Sequence, residues 1–109
     1  MITWQEFQNV DMRVGTILSV EDFPKAKYPA YQILVDFGKE IGTKKSSAQI
    51  TQMYTKEDLI GKQVICVVNF PPKQIGPYMS EVLTTGFDGK LGAVLTTVDK
   101  KVENGKRLY

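Results

Sequence analysis

The sequence predicts an all-β fold, a five-stranded Greek-key barrel with a short N-terminal helix, a helix between the third and fourth strands, and a C-terminal extension. Three observations carry this prediction. Short apolar runs alternating with period two recur along the chain, separated by Gly, Pro and Asn-Gly punctuation. Gly15 breaks the first of these runs, as a bulge or bend does where a sheet curls on itself. One helical stretch, between residues 50 and 60, lies between the third and fourth strand patterns. At 109 residues the chain is near the modal size of one domain, and residues 1–109 are read as a single unit without repeats or linkers.

Taken in order, Thr3-Trp4-Gln5-Glu6 has the form of a capping box opening one or two helical turns. Trp4 and Phe7 are three apart and share a face of that helix. So short a helix is unstable alone, so this face has to dock on something. Met12, Val14, Leu18 and Val20 alternate through a first strand, Met12 to Val20. Phe23-Pro24 and Tyr28-Pro29 bracket a loop carrying Lys25 and Lys27. Tyr31, Ile33, Val35 and Phe37 mark the second strand, which runs to Gly38. The third, Gly42 to Gln49, is polar and includes Lys44 and Lys45. Ile50 to Ile60 is helical in character, with a second capping box at Thr55–Asp58 and Gly61 as the residue beyond the C-cap. Gln63 to Phe70 is the most apolar strand and reads as the central one. Glu81 to Thr85 is a fifth strand, Phe87-Asp88-Gly89 a turn, and Gly92 to Val98 a sixth strand. Asn104-Gly105, between Val102 and Leu108, is a type I′ turn signal. This set of elements describes the OB-fold.

Composition narrows the function. There is no histidine, which excludes a His-based triad or general base and most zinc sites. Phosphate-binding glycine motifs are absent, and Glu21-Asp22 and Glu57-Asp58 are adjacent acids in polar segments rather than a pair facing across a cleft. The chain reads as a binding protein, not an enzyme, with no metal and no cofactor. Cys66 has no partner for a disulfide and reads as a buried structural thiol. The N-terminus lacks the basic start and apolar run of a secretory signal, and no stretch approaches the roughly 20 apolar residues of a membrane span. A cytoplasmic setting without membrane insertion is the expectation. Fourteen basic and twelve acidic residues give +2, with pI about 8.6, so charge alone does not select a nucleic-acid ligand.

The stretch VVNFPPKQIGPYMSEVL, residues 67–83, is the informative one. Pro71-Pro72 fixes φ and removes two backbone donors, so the chain leaves the sheet there but stays stiff. A stiff apolar loop loses little entropy on binding. Phe70, Ile75, Tyr78 and Met79 either plug the barrel end or line an interface with an extended peptide or a second subunit; the interface is the expectation. Asn69 and Gln49 each offer an amide donor and acceptor suited to a peptide backbone or a nucleotide edge.

DMRVGTI (11–17), VDFG (35–38), SSAQIT (46–51), GKQV (61–64), VVNFPP (67–72) and SEVL (80–83) together resemble the export-related chaperone family CsaA. That family lies within the tRNA-binding OB domains found with methionyl- and phenylalanyl-tRNA synthetases. The resemblance spans the chain from Asp11 to Asn104-Gly105. In the wider group, Asn before an apolar residue and Pro, then a basic loop and Ser-x-Gly-Met, goes with RNA binding. Asn69, Phe70, Pro72 and Ser80 match it, whereas Val82-Leu83 replaces Gly-Met and Ala48-Gln49 replaces a common Ser-Gly, which points to the CsaA branch. Within that branch, Met79 stands where relatives tend to carry a basic residue. The resemblance implies a cytoplasmic homodimer that binds unfolded or preprotein segments and assists export.

The expected peptide site is therefore Asn69, Phe70, Pro71, Pro72, Ile75, Tyr78 and Gln49. The alternative is a tRNA or RNA site using Lys44, Lys45, Lys73, Asn69 and Ser80, with Lys25 and Lys27 nearby if the loops converge. Trp4, Phe7, Phe70 and Ile75 are the expected dimer interface.

Overall fold

The structure is a computed structural model describing all of residues 1–109. Its elements are α1 (Trp4–Gln8), β1 (Met12–Asp22), β2 (Tyr31–Asp36), α2 (Gly38–Ile41), β3 (Thr43–Ala48), α3 (Lys56–Leu59) and β4 (Gln63–Val67). These are followed by β5 (Lys73–Ile75), β6 (Tyr78–Ser80), β7 (Leu83–Thr84), β8 (Gly86–Gly89) and β9 (Gly92–Leu95). Five antiparallel strands form one sheet in the order β3-β2-β1-β4-β7, which curls until its two edges approach. This is the expected OB-fold barrel, nearly closed. The edge strands meet through a Ser46 Oγ to Thr84 Oγ1 contact of 2.8 Å rather than a ladder.

β2 alternates as its sequence dictates, with Tyr31, Ile33 and Val35 buried, and Phe37 just beyond it buried too. They join Ile17, Val64, Cys66, Val82 and Leu95 in one core. β1, not β4, is the central strand: its second half pairs with β2 and its first half with β4. All five residues of β4 are buried, so its apolar run reflects cover on both faces rather than a central place. The strand ends at Val67, earlier than the apolar run to Phe70 implied.

The bend in β1 lies at Leu18, where the register with β2 slips between Ile17 and Ser19. The slip changes the phase, turning Ile17 inward and leaving Leu18 exposed, against the simple alternation. Gly15 has another reason. A Cβ there would lie 2.5 Å from Val35 Cγ1 and 2.8 Å from the Phe37 ring, so these two side chains pack where a larger residue would stand.

Both capping boxes form: Thr3 with Glu6, and Thr55 with Asp58. Gly61 follows α3 at φ +87°. The helix itself is only four residues. Ile50 and Leu59 are buried, but the segment between them is mostly turn, tied down where Tyr54 O accepts from Tyr31 Oη at 2.9 Å and Tyr54 Oη accepts the Leu95 N–H at 3.0 Å.

Three further expectations are corrected. The 70–79 loop contains the β5–β6 hairpin, since Pro72 ends before the first ladder position and Gly76, at φ +56°, opens the Gly76-Pro77 turn. Residues 86–89 are a strand paired with β9, so the turn falls at Lys90-Leu91 rather than at Phe87–Gly89. Asn104-Gly105 is not type I′, because that turn needs positive φ at both residues and here Gly105 alone has it. Instead of closing a hairpin, the C-terminal segment runs beside β1. The N–H groups of Gly105 and Leu108 donate to Val14 O and Met12 O, and the Val14 N–H donates to Lys106 O.

Candidate functional site

The β5–β6 hairpin is pinned over the open edge of β3. Ser80 Oγ accepts the Ser47 N–H at 3.0 Å, the Glu81 N–H donates to Lys45 O at 2.7 Å, and Glu81 Oε1 accepts the Lys45 N–H at 2.9 Å. Between the hairpin and the barrel this leaves a groove of about 410 Å³. It is lined by Phe70 and Pro71, by Lys73 and Ile75 of β5, by Ser80, Glu81, Val82 and Leu83 after the turn, and by Ser47 and Gln49 at the end of β3. Phe70 is 54% exposed and Leu83 50%, so the fold itself leaves both apolar side chains facing water.

The structure thus brings together Phe70, Pro71, Ile75 and Gln49 of the expected peptide residues, and Lys73 with them. Pro72 is exposed outside the groove lining. Asn69 does not reach the groove: its Oδ1 accepts the Asp11 N–H at 3.0 Å and its Nδ2 donates to Asn9 O at 2.8 Å. The amide that resembled a ligand grip is a clamp on the N-terminal segment. Ser80 is likewise committed to holding β6 on β3.

Tyr78 turns away from the groove. Its ring packs on Phe23 with centroids 5.3 Å apart, its hydroxyl donates to Ser46 O at 3.4 Å, and Lys45 Nζ lies over it at 5.2 Å. Burial, then the nearby Glu81 and Glu21 charges, pushes the Tyr78 phenol up to about 12. The lysines do not form one patch with Lys73. Lys44 and Lys45 alternate to opposite faces of β3, and the Lys25 backbone lies 4.0 Å from where a Cβ on Gly76 would be, at the hairpin tip. Lys25 and Lys45 belong to that tip rather than to the groove lining, and Lys27 lies over the Tyr28 ring with Nζ 5.6 Å from its centroid.

Trp4 and Phe7 pack against each other with centroids 5.6 Å apart and ring planes tilted by 38°. They line a separate hollow of about 130 Å³ with Val10, Leu108 and Tyr109, so the expected dimer residues fall in two places, Trp4 and Phe7 in one and Phe70 and Ile75 in the other. The sequence reading missed Leu83 as a groove residue. Its signal was available: alternation places Val82 inward, which turns the apolar Leu83 out.

Fold and groove together define a small OB-fold domain with one preformed apolar groove beside the β5–β6 hairpin. Residues 12–107 match the family described as "Putative tRNA binding domain", and the chain belongs to that family. Among solved structures it is similar to the CsaA chaperone protein from Picrophilus torridus, at 49% identity and TM-score 0.95 over 100% of both chains. It is also similar to chaperone CsaA from Bacillus anthracis, at 42% identity and TM-score 0.92 over 100% of this chain and 99% of that one. The MetRS related protein from Pyrococcus horikoshii shares 27% identity at TM-score 0.86 over 100% and 98%. The resemblance to CsaA read from the sequence is borne out. Curated relatives include the methionine–tRNA ligase of Nanoarchaeum equitans, 37% identical over 99% of this chain. The chain spans only 14% of that ligase's length.

Proposed function

We propose that the protein is a chaperone-type binding module that holds extended, unfolded peptide segments in the groove between Phe70–Pro71, the β5–β6 hairpin and Leu83. The observation that carries this reading is the exposed apolar pair, Phe70 and Leu83, both lining one preformed concave site. Burying such side chains against a client is worth about 25 cal/mol per Å² of apolar surface. The hairpin turn and the prolines hold the wall in place beforehand, so little ordering is needed on binding. The similarity to the CsaA chaperones over their whole length supports the reading, and a role in protein export in the cytoplasm is its extension. The helix face of Trp4 and Phe7, with Trp4 64% exposed, supports pairing of two copies there.

The family match and the lysines at the hairpin tip favour a second reading, tRNA binding, with phosphates on Lys25 and Lys45 beside Tyr78. The two differ in response to salt. Phosphate binding weakens steeply as salt rises, whereas apolar burial does not. Titration of a labelled unfolded peptide and of tRNA at low and physiological salt tests both. The peptide reading expects salt-insensitive peptide binding; peptide affinity that collapses with salt alongside tRNA affinity would contradict it.

A further inference from the structure

The groove does not end at Gln49. A second hollow of about 350 Å³ shares Ser47, Gln49 and Leu83 with the first, so the two form one trough along the seam between β3 and β7. Phe87 and Asp88 of β8 line its far end. Phe87 is 66% exposed, beside its cross-strand partner Val94.

Gln49 stands where the two hollows join. Main-chain groups on the free side of β3 alternate, and those of Lys45 and the Ser47 N–H are taken by Ser80 and Glu81. Gln49 is next in that alternation, and neither its backbone nor its side chain makes a hydrogen bond. A free N–H and C=O at the end of an edge strand are a template for one more strand. The charges have a direction as well. Lys73 lines one hollow and Asp88 the other, and neither is in an ion pair.

Building on the peptide reading above, we propose that the ligand is an extended peptide occupying the whole trough. An apolar side chain fills each hollow, the main chain between them bridges to Gln49, and the segment carries an acidic residue toward Lys73 and a basic residue toward Asp88. Charge favours a peptide over a nucleic acid strand, because Glu81 and Asp88 face the trough against one lysine.

The test uses the full chain and two labelled peptides of one composition, an apolar core flanked by Glu then Lys, and the same core flanked by Lys then Glu. At low salt one order is expected to bind about two- to threefold tighter, a difference that shrinks toward physiological salt while the apolar affinity persists, and a Lys73→Glu, Asp88→Lys double variant is expected to reverse the preference. Phe87→Ala is expected to weaken binding about tenfold with an unchanged circular dichroism spectrum and melting temperature. Methylating the one peptide nitrogen that meets Gln49 abolishes binding, while methylating its neighbour does not. Equal binding of the two orders at low salt, or an unchanged affinity in Phe87→Ala, overturns the proposal. If Phe70→Ala still weakens binding in that case, the shorter groove of the proposed function stands. A single-stranded oligonucleotide that displaces the peptide and is itself weakened by Phe87→Ala overturns the peptide identity of the ligand.

Discussion

Asn69 bonds the backbone of Asn9 and Asp11, while Gln49, with the same donor and acceptor chemistry, bonds nothing. Residue type was legible in the sequence; which partners the fold brings to an amide was not, because residues 9–11 lie some sixty positions away from Asn69. Asn69→Ala should therefore lower stability by about 1–2 kcal/mol, the loss of two partly solvated hydrogen bonds, and leave peptide affinity nearly unchanged. Gln49→Ala should leave stability within about 0.5 kcal/mol. Urea unfolding distinguishes the two. Cys66 was legible outright, since alternation placed it inside; it is fully buried, and burial raises its thiol to about 11. A thiol reagent should modify it orders of magnitude more slowly in the native protein than in denaturant, and equal rates would contradict its placement. Cys66 and Tyr78 both have folded-state pKa values above their ordinary ones, so the unfolded chain ionises first. Their stabilisation is fully present below pH 9 and is lost as pH rises through about 11 for Cys66 and about 12 for Tyr78. Urea midpoints measured on either side of that window should fall toward alkaline pH.

At the scale of elements, β2 and both capping boxes were readable because each is fixed locally, by alternation over six residues or by a Thr-x-x-acid pattern, whereas the helix expected from Ile50 begins only at Lys56. The β5–β6 hairpin was not, because Pro71-Pro72 signals a break without showing that three residues on each side of Gly76-Pro77 pair afterwards. The phase change in β1 was hidden as well. A bulge at Leu18 follows from the curl of the whole sheet, and Gly15 drew attention to the wrong position. Gly15→Ala tests this account: with Val35 and Phe37 already filling the space, overpacking should cost about 1–3 kcal/mol. If glycine served only to bend the strand, the loss would be nearer the few tenths expected of a mild backbone preference. The C-terminal segment reads as a type I′ turn at Asn104-Gly105 in sequence, yet instead of closing a hairpin it supplies a hydrogen-bonded partner to the first half of β1. It depends on Gly105, at φ +92°, whose missing side chain lets Phe37 O approach. Gly105→Ala should loosen this segment, seen as faster amide exchange at Val14 and Leu108.

For the whole molecule, the groove follows from barrel closure. The sheet curls until β3 and β7 meet, the hairpin bridges that seam, and the apolar groove is the space left beneath it. Sequence showed the groove residues Phe70 and Ile75 but not Leu83, since the two sides meet only when the seam closes. Closure also sends the lysines elsewhere, Lys45 onto Tyr78 at the hairpin tip and Lys73 alone to the groove. Pairing of two copies through α1 belongs to this scale too. Trp4→Ala with Phe7→Ala should shift the protein toward monomer in light scattering, and a monomeric unmutated protein at tens of micromolar would remove that proposal. The central claim is that clients bind by apolar burial in the groove rather than by charge. The direct measurement is the affinity of an unfolded peptide for Phe70→Ala and for Lys44→Ala with Lys45→Ala, at physiological salt, in folded variants. Truncating Phe70 should weaken binding at least about tenfold, since removing a well-buried aromatic contact exceeds 1.4 kcal/mol. The lysine pair should change it by less than about twofold, because exposed charges contribute little at that ionic strength. A lysine variant that loses peptide affinity as severely as Phe70→Ala would contradict the account.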